Sequence, residues 1–396
     1  MQSARRPWCA IYRAAGIGDL LIASSPVAQL AKTFNVEVMC DKSYGELWEH
    51  NPHVAKITEF PNGTLPTDLM EWIKWFRTQS KAYNAFYNLS QTCEVSLALA
   101  NGQVAFDWPA SARRKLCDRN YLEMVHDVCE VPYDFDPGPR FYASDEEKAD
   151  AIRVKGTVGE RVIGIPVSGS RIDKVWPWLP MLAAKIISQL KLPVILFGAP
   201  NGRDVEIANR AHEIVAKLNG SDKDLHCCIS KDTKEQTVTW SMRRNMAQLQ
   251  TCDLVIAPDT GLAWSVAMEP MPKIVIVSHA SPRNITDHWI ATTTLHADAK
   301  RVPCWPCHRL HESPETCVKA EKVDAAACMD DVHDEVVLEH IRKLLAPARN
   351  QVGPHATDNG GPKVTVADGV AFASPAVSYD APDGYVGLRR VDAAAN

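Results

Sequence analysis

The sequence lacks any long hydrophobic run. No uninterrupted apolar stretch in it approaches the ~18 residues that a membrane-spanning helix requires. The first residues, MQSARRPWCAIYRAAG, include basic side chains but no apolar core of about 7–15 residues, which a signal peptide would contain. These absences predict a protein without a transmembrane segment and with a cytoplasmic location.

A strong charge of one sign is also missing. Lys and Arg together number 43 and Asp and Glu 48, which gives a formal net charge of -5. The chain therefore has no overall basic field to attract nucleic acid or an anionic membrane, and the sequence carries no strong signal of a nucleic-acid partner. Peripheral contact with a membrane through a local patch stays open. Hydrophobic residues make up 46% and charged residues 23%, which excludes wholesale disorder, collagen and coiled coil.

Cysteine is present in quantity, but a chain of 396 residues does not need disulfides to fold. Eight of the 12 cysteines are scattered through apolar or helical patterns, as buried thiols usually are. The other four have the spacing C-x2-C-x9-C-x10-C and are Cys304, Cys307, Cys317 and Cys328. Four thiolates at this spacing predict a structural zinc site, with no open position for catalysis. Reduced buried thiols and a redox-labile pair are the alternatives.

Short β-rich runs alternate with amphipathic helical patterns in two series, which predicts crossover connections and parallel sheets. The segment 131–144 between the series is dense in proline and turn formers, and Ser144-Asp-Glu-Glu147 after it has the pattern of a capping box. We therefore expect two Rossmann-like, doubly wound domains, at 1–140 and 141–345. A helix over 333–345 closes the second domain, and 346–396 is expected to be a mostly disordered tail.

The first candidate site is the turn Gly16-Ile17-Gly18-Asp19 between the first strand and the first helix. A dinucleotide fingerprint would have a third glycine at position 21, where Leu21 stands, so an NAD site is not supported. The turn does place one carboxylate at the mouth of the sheet, where open α/β folds bind ligands. Asp19 either acts on a ligand there or stabilises the helix dipole. Both interpretations stay open.

Two further loops have features of phosphate-binding sites. Ser168, Gly169 and Ser170 offer N–H and O–H donors after a strand of the second series, and Lys174 adds a positive charge. The alternative is a surface loop with a solvated lysine.

The run Asp259-Thr260-Gly261 follows another strand of the second series and leads into a helix. Its backbone N–H groups and the helix N-terminus predict an anion cradle that needs no metal. The alternative is that Asp259 is an ordinary N-cap.

Taken in order, the motifs resemble glycosyltransferase family 9, the ADP-heptose heptosyltransferases of lipopolysaccharide synthesis. The resemblance covers roughly residues 10–345. Its motifs are Gly16-Ile17-Gly18-Asp19, Asn51-Pro52 with Val54 behind it, the run from Gly169 to Trp176 that contains Lys174, the strand end Phe197-Gly198-Ala199-Pro200, and Asp259-Thr260-Gly261. This family resemblance implies a GT-B fold, in which an N-terminal acceptor domain and a C-terminal nucleotide-sugar domain face each other across a cleft. It also implies that the last helix packs back toward the N-terminal domain.

The resemblance implies roles for individual residues. Asp19 falls on the general base, and Lys174 with Ser170 falls on contacts to the donor phosphates. The diphosphate loop is Asp259, Thr260 and Gly261. We place four more glycine and serine positions and one tryptophan in the binding site, namely Gly16, Gly18, Ser168, Gly169 and Trp264.

The implied activity is inverting transfer of a heptose-like sugar from a nucleoside-diphosphate sugar, ADP-sugar favoured, to a hydroxyl of a glycan or glycolipid such as lipopolysaccharide core. No metal is expected in the chemistry. Two alternatives stay open: a GT-B enzyme acting on another acceptor, such as a protein or a modified nucleic acid, and a non-catalytic nucleotide-sugar-binding protein.

The sequence departs from the family pattern at two positions near the donor. Trp264 stands where the family commonly has histidine, and tryptophan cannot accept a hydrogen bond. Gly202 stands where a glutamate would hold the ribose, with Asp204 and Glu206 nearby as substitutes. The donor sugar is therefore left open.

The C-terminal part of the second series holds further candidates. Some family members carry a similar cysteine-rich loop before a Cys-Met pair, here Cys328-Met329. His279 ends a strand, and it is interpreted either as a cleft residue or as a loop histidine with its own partner. Three other histidines lie near this region, namely His288, His308 and His311.

Removing the predicted tail should leave the body of the protein stable. The composition of 347–396 buries too little apolar area to offset an ordering cost of about 1–2 kcal/mol per residue. We expect a chain ending at Ala348 to melt cooperatively within a few degrees of the full chain, and limited proteolysis to cut this region first. A sharp fall in melting temperature would instead indicate that VTVADGVAF is a paired strand of the body.

Overall fold

The structure is a computed structural model, and it describes residues 6–346 except 15, 62, 67, 91–108, 170, 230–239, 309–316, 318 and 321–324. The predicted tail therefore lies outside the described residues. Within the described part of the chain, no helix is both long enough and apolar enough to cross a bilayer.

The first sheet has four parallel strands in the order β3-β2-β1-β4. The strands are β1 (Trp8–Tyr12), β2 (Asn35–Asp41), β3 (Lys56–Phe60) and β4 (Ala85–Asn88). β1 lies between β2 and β4 and is buried from Cys9 to Tyr12. Strands covered on both faces are nearly continuously apolar, which is why the sequence pattern predicted them. The edge strand β3 is only partly buried, and the sequence analysis did not predict it.

Five helices of the described residues accompany the first sheet, and the first of them begins earlier than its sequence predicts. They are α1 (Ile17–Ser24), α2 (Val27–Leu30), α3 (Leu69–Ser80), α4 (Ala110–Cys117) and α5 (Tyr121–Val128). The next helix, α6 (Asp145–Val158), packs against the helix Met242–Leu249 of the second half. The apolar spacing after Ser25-Pro26 predicts a helix that begins there with Ser25 as N-cap, but α1 already starts at Ile17 and ends at Ser24. Pro26 cannot donate a backbone hydrogen bond, so the chain breaks there into a separate short helix. The predicted capping box at Ser144 and Glu147 is confirmed.

The second sheet has six parallel strands in the order β10-β9-β8-β5-β6-β7. They are β5 (Ile163–Pro166), β6 (Val194–Phe197), β7 (Leu225–Cys227), β8 (Leu254–Pro258), β9 (Lys273–Ile276) and β10 (Thr292–Leu295). The chain starts in the middle at β5, fills one side, and then returns to fill the other. This order is the doubly wound arrangement, and its switch point lies between β5 and β8.

The helices of the second half flank this sheet. They are α7 (Leu179–Lys185), which continues as a π-helical turn over Ile186–Leu190, then α8 (Gly202–Asn219), α9 (Met242–Leu249), α10 (Gly261–Trp264), α11 (Pro282–Ile285), α12 (Ala327–Asp330) and α13 (Asp334–Leu345). The last helix was expected to pack toward the N-terminal domain. Instead α13 packs against α7, with Lys185 2.7 Å from Asp334.

One buried arginine joins the two halves. Arg243 of α9 donates to both carboxylate oxygens of Glu147 at 2.7 and 2.6 Å, to the Glu46 carbonyl at 2.6 Å and to the Tyr142 carbonyl at 3.0 Å. Its guanidinium also lies 4.7 Å from the centroid of the Phe141 ring. A planar five-donor group is well suited to hold several acceptors at once. Arg243 thus links the first sheet's loops, the 131–144 connection and α9.

We expect Arg243→Ala to lower the free energy of unfolding by about 1.5–3 kcal/mol, because it removes a buried guanidinium and leaves the partly buried Glu147 carboxylate and two backbone carbonyls without that donor. The neighbouring Arg244 is the matched control, since its side chain is 38% exposed and pairs with Asp150 at 2.9 Å. Arg244→Ala should cost less than about 1 kcal/mol. Urea unfolding measures both, and equal losses in the two variants would contradict the role of Arg243.

Candidate functional site

Two loops at the switch point of the second sheet bring opposite charges together. One follows β5 and carries Lys174, and the other follows β8 and carries Asp259. Lys174 Nζ lies 3.0 Å from Asp259 Oδ2, and both side chains are largely buried. The two residues were predicted on separate phosphate-binding loops, and the fold makes them one ion pair. Ligands of doubly wound sheets bind at this kind of switch point.

The loop after β5 is shaped around the lysine side chain. A Cβ atom at Gly169 would lie 2.8 Å from Lys174 Cδ and 2.9 Å from Lys174 Cβ, so the lysine needs a glycine where it crosses the loop. Ser168 donates a hydrogen bond to Asp204, whose other carboxylate oxygen accepts from the Ala199 N–H at 2.8 Å. Asp204 therefore anchors the loop. Its predicted contact with a ribose stays a prediction.

One predicted member of this loop, Ser170, lies outside the described residues. The predicted phosphate contact of Ser170 therefore also stays a prediction.

The loop after β8 shows which residue caps the helix that follows it. Thr260 is the N-cap of α10, and its hydroxyl accepts from the Ala263 N–H at 3.3 Å. The interpretation of Asp259 as an ordinary N-cap is therefore wrong, because its carboxylate pairs with Lys174. Since α10 has only four residues, its dipole is weak. Lys174 is thus the main positive group at this site.

Asp19 lies in the first turn of α1 and is paired with an arginine that the sequence analysis did not single out. Arg13 Nη2 lies 2.5 Å from Asp19 Oδ2, and Arg13 Nη1 donates to the Leu89 carbonyl at 3.2 Å. Arg13 is only 5% exposed. The signal that it mattered was a charged residue at the end of the apolar run AIYRA. The pair fixes where the Asp19 carboxylate points.

The position of the Asp19 carboxylate requires a glycine at residue 16. Its φ is 92°, and a Cβ atom there would lie 2.4 Å from Asp19 Oδ2. A side chain at this position would have to displace Asp19 and would also strain the backbone.

The turns that carry Asp19 and Asp259 are in direct contact. A Cβ at Gly18 would lie 3.5 Å from Gly261 Cα, and a Cβ at Gly261 would lie 3.0 Å from the Gly18 backbone nitrogen. Glycine on both sides lets the starts of α1 and α10 approach this closely. The two predicted sites therefore form one continuous region.

Trp264 of the proposed binding site and Trp176 of the motif that contains Lys174 both lie in the interior. Trp264 is 2% exposed, and its ring centroid is 4.7 Å from that of Trp289. It also contacts the turn at Gly18, and its predicted part in donor binding stays a prediction. The indole N–H of Trp176 donates to the Val332 carbonyl at 2.7 Å. Trp176 therefore has the core-packing role expected by default.

The four clustered cysteines line one small cavity. Its volume is about 10 Å³, roughly the space of one water molecule, and its walls include Cys304, Cys307, Cys317 and Cys328. All four are in the thiol form. Among the described residues, no three His, Cys, Asp or Glu side chains are grouped closely enough to hold a metal ion. Burial raises the pKa of Cys317 to about 11 and raises that of Cys328 as well. The zinc site stays a prediction.

His279 shares this cavity and has a carboxylate partner. Its Nδ1 lies 3.2 Å from Asp173 Oδ2 and 2.9 Å from the Ser278 hydroxyl. Burial lowers the pKa of His279 to about 4, so the ring is neutral near pH 7. His279 thus matches the interpretation of a loop histidine with its own partner.

The other predicted histidines lie elsewhere. His308 Nε2 lies 3.3 Å from Asp118 Oδ1, and His288 Nε2 lies 2.9 Å from Glu123 Oε1. His311 is outside the described residues.

Several solved structures have the same fold. The glycosyltransferase family 9 protein of Veillonella parvula DSM 2008 has a TM-score of 0.61 and 14% identity, over 87% of this chain and 98% of that chain. The ADP-heptose lipopolysaccharide heptosyltransferase II of E. coli has a TM-score of 0.55 and 16% identity, over 85% and 98%. The iron-containing dodecameric glycosyltransferase TibC of enterotoxigenic E. coli H10407 has a TM-score of 0.52 and 13% identity, over 87% and 77%. No protein-family model and no curated protein matches the sequence.

At these identities the likeness establishes the fold. The predicted GT-B class, with its parallel Rossmann-like sheets, is confirmed. The boundary between the predicted domains, at 140 and 141, stays a prediction.

We expect Gly16→Ala to destabilise the protein by at least about 1–2 kcal/mol, since the residue must keep a positive φ and avoid the Asp19 carboxylate. Gly156→Ala in α6 is the control, because a Cβ there meets nothing within 4 Å. That change should stabilise by about 0.4–1 kcal/mol. Chemical denaturation of both variants checks the contrast, and two variants of equal stability would refute it.

Proposed function

We propose that this chain is an inverting glycosyltransferase. It transfers a heptose-like sugar from a nucleoside-diphosphate sugar, ADP-sugar favoured, to a hydroxyl of a glycan or glycolipid such as lipopolysaccharide core. The fold shared with a family 9 glycosyltransferase and with heptosyltransferase II supports this proposal. The observation that carries it is the contact of Gly18 with Gly261. This contact brings the turn of Asp19, which Arg13 holds, against the loop of Asp259, which pairs with Lys174.

Asp19 is the proposed general base. The acceptor oxygen forms a bond to the anomeric carbon while the bond from that carbon to the diphosphate oxygen breaks. The hydroxyl proton goes to Asp19, and the electron pair of the broken bond stays on the diphosphate. A single displacement of this kind inverts the anomeric configuration. Arg13 holds the carboxylate in place, so that less reorganisation is needed during the reaction.

Lys174 is the proposed electrostatic stabiliser of the departing diphosphate. It is pre-positioned by Asp259 at 3.0 Å and by the glycine at position 169. Preorganised positive charge in a largely buried site stabilises developing negative charge more than it would in water. Backbone donors of Gly18, Ser168, Gly169, Thr260 and Gly261 complete the proposed binding site. The N-terminal half then takes the acceptor and the C-terminal half takes the donor.

No metal takes part in the proposed chemistry, because the lysine supplies the positive charge. The four cysteines are a separate proposal for a structural metal. Soft thiolates suit zinc or iron, the cavity they line is the size of an ion, and the similar protein TibC is described as iron-containing. Metal binding would have to draw the thiols together and deprotonate them.

A thermal-shift series with ADP, UDP, GDP and CMP tests donor binding directly. A nucleotide that binds only the folded state raises the melting temperature, so selective stabilisation identifies the donor's nucleotide. If none of the four shifts the transition, the proposed donor site is wrong.

Asp19→Asn should abolish sugar transfer, because the amide keeps the size of the side chain but cannot take the acceptor's proton. Nucleotide affinity should change little. Transfer assays with the nucleotide sugar and calorimetric titration with the nucleotide separate the two effects. A variant that keeps most of its transfer rate would remove Asp19 from the role of base.

Lys174→Ala and Asp259→Ala should each weaken donor binding and turnover, while EDTA should leave transfer unaffected. Lys155→Ala is the control, because Lys155 Nζ lies 2.8 Å from Asp253 Oδ2 and the two lysine side chains are about equally exposed, at 23% and 19%. The Lys155–Asp253 pair does not involve the loops that carry Lys174 and Asp259. Donor affinity and turnover of this control should stay at the wild-type values. Loss of activity in EDTA that Mg²⁺ or Mn²⁺ restores would contradict the role of Lys174.

A further inference from the structure

The turn that carries Lys174 also carries a second buried charge. Asp173 is 3% exposed, and its Oδ1 accepts from Arg171 Nε at 2.8 Å. Its Oδ2 faces His279 Nδ1 at 3.2 Å. Adjacent residues of one short 3-10 turn, Ile172–Lys174, are therefore held by different partners. Lys174 is held by Asp259, and Asp173 is held by Arg171 through Oδ1 and lies next to His279 through Oδ2.

Asp173 and His279 are also walls of the thiol cavity, together with the four cysteines. The residue next to the proposed phosphate-binding lysine thus borders the space that the thiols surround. A change in the size or charge of that space would therefore displace its walls, which include Asp173 and His279. Because the interior is closely packed, such a change cannot be absorbed locally without moving its walls.

The cysteine loop is attached to His279 through its backbone as well. The N–H of His308, which directly follows Cys307, donates to the His279 carbonyl at 2.8 Å. The ring of His308 lies 3.3 Å from Asp118 in the first half of the chain. The cysteine loop therefore contacts both halves of the chain. Because a hydrogen bond connects the loop to His279, a shift of the loop would also move His279.

From these contacts we infer that the thiol cavity and the donor site are coupled through Asp173 and His279. Both act as positioning residues for Lys174. Metal loading or alkylation of the four thiols changes the affinity for nucleoside diphosphate, and nucleotide binding changes the affinity for the metal by the same factor. This reciprocity is a thermodynamic requirement for linked binding equilibria, typically about 5–150-fold. The rate of thiol alkylation changes as well, because nucleotide binding changes how often the cavity opens to the reagent. The inference rests on the proposed nucleotide site.

The test measures alkylation of individual cysteines by iodoacetamide in the protein as purified, by peptide mass spectrometry, with and without ADP or UDP. Metal content is measured on the same sample. We expect the nucleotide that binds to slow alkylation of Cys304, Cys307, Cys317 and Cys328 by about fivefold or more. The half-buried Cys227 at the end of β7 is the internal control, and its alkylation rate should not change. Unchanged rates at the four cysteines under saturating nucleotide would overturn the coupling.

The substitutions Asp173→Asn and His279→Gln test whether these two side chains connect the thiol cavity to the donor site. Both keep the side-chain size, and we expect both to weaken nucleotide binding by about tenfold, within the usual range for coupled sites, and to abolish the protection of the thiols. The matched control is Asp222→Asn, which alters an Asp–His pair with His212 at 2.7 Å outside the site. It should leave affinity and protection unchanged.

The possible outcomes separate this inference from the proposed function. If wild-type protein binds neither ADP nor UDP, the proposed function fails, and the inference that rests on it fails too. If a nucleotide binds and protects the thiols equally in wild type and in both variants, the donor site stands and the path through Asp173 and His279 is refuted. The wild-type comparison needs no variant, so a variant that does not fold leaves the coupling testable.

Discussion

Close approach of two backbones, at Gly18 and Gly261, is the constraint on which the candidate site depends. Each residue stands at the start of a helix that follows a strand of a different sheet. A Cβ atom at Gly261 would lie 2.7 Å from Ile17 Cβ and would push the two helices apart, and one at Gly18 would lie 3.2 Å from Trp264 Cδ1. Because the helices meet there, the Asp19 carboxylate and the Lys174–Asp259 pair belong to one region. The proposed displacement reaction needs a base on one side of the reacting carbon and a cation on the other, so Asp19 and Lys174 have to belong to one region.

Every charge that the fold buries in this region has a partner of opposite charge. Arg13 pairs with Asp19, Lys174 pairs with Asp259, and Arg171 pairs with Asp173. Unpaired charges would be costly to bury, so the pairs allow ionised groups to remain inside a folded site. They also fix side-chain positions before any ligand arrives. Arg243 shows the same principle away from the site, where it pairs with Glu147 and joins the two halves through the Glu46 carbonyl.

Much of the fold was predictable from the sequence because it depends on residues that are close in the chain. Buried strands such as β6 and β8 are short continuous apolar runs, and the capping box at Ser144 and Glu147 spans only three positions. The edge strands β3 and β10 escaped prediction, since half-exposed strands carry little apolar signal. The start of α1 was missed because a glycine with positive φ, rather than a standard capping side chain, begins it.

The sequence by itself determined which residue types stand at the strand ends: the glycines at 16 and 18, the carboxylates Asp19 and Asp259, and Lys174. The tertiary structure decided what each of them touches. Lys174 and Asp259 are 85 residues apart in the chain, and they meet because β5 and β8 are neighbours in a sheet whose order no local pattern specifies. The same holds for Asp173 with His279, and for Arg243 with Glu147. Local patterns reflect the preferences of adjacent residues, whereas these pairs depend on which parallel strands and helices pack side by side.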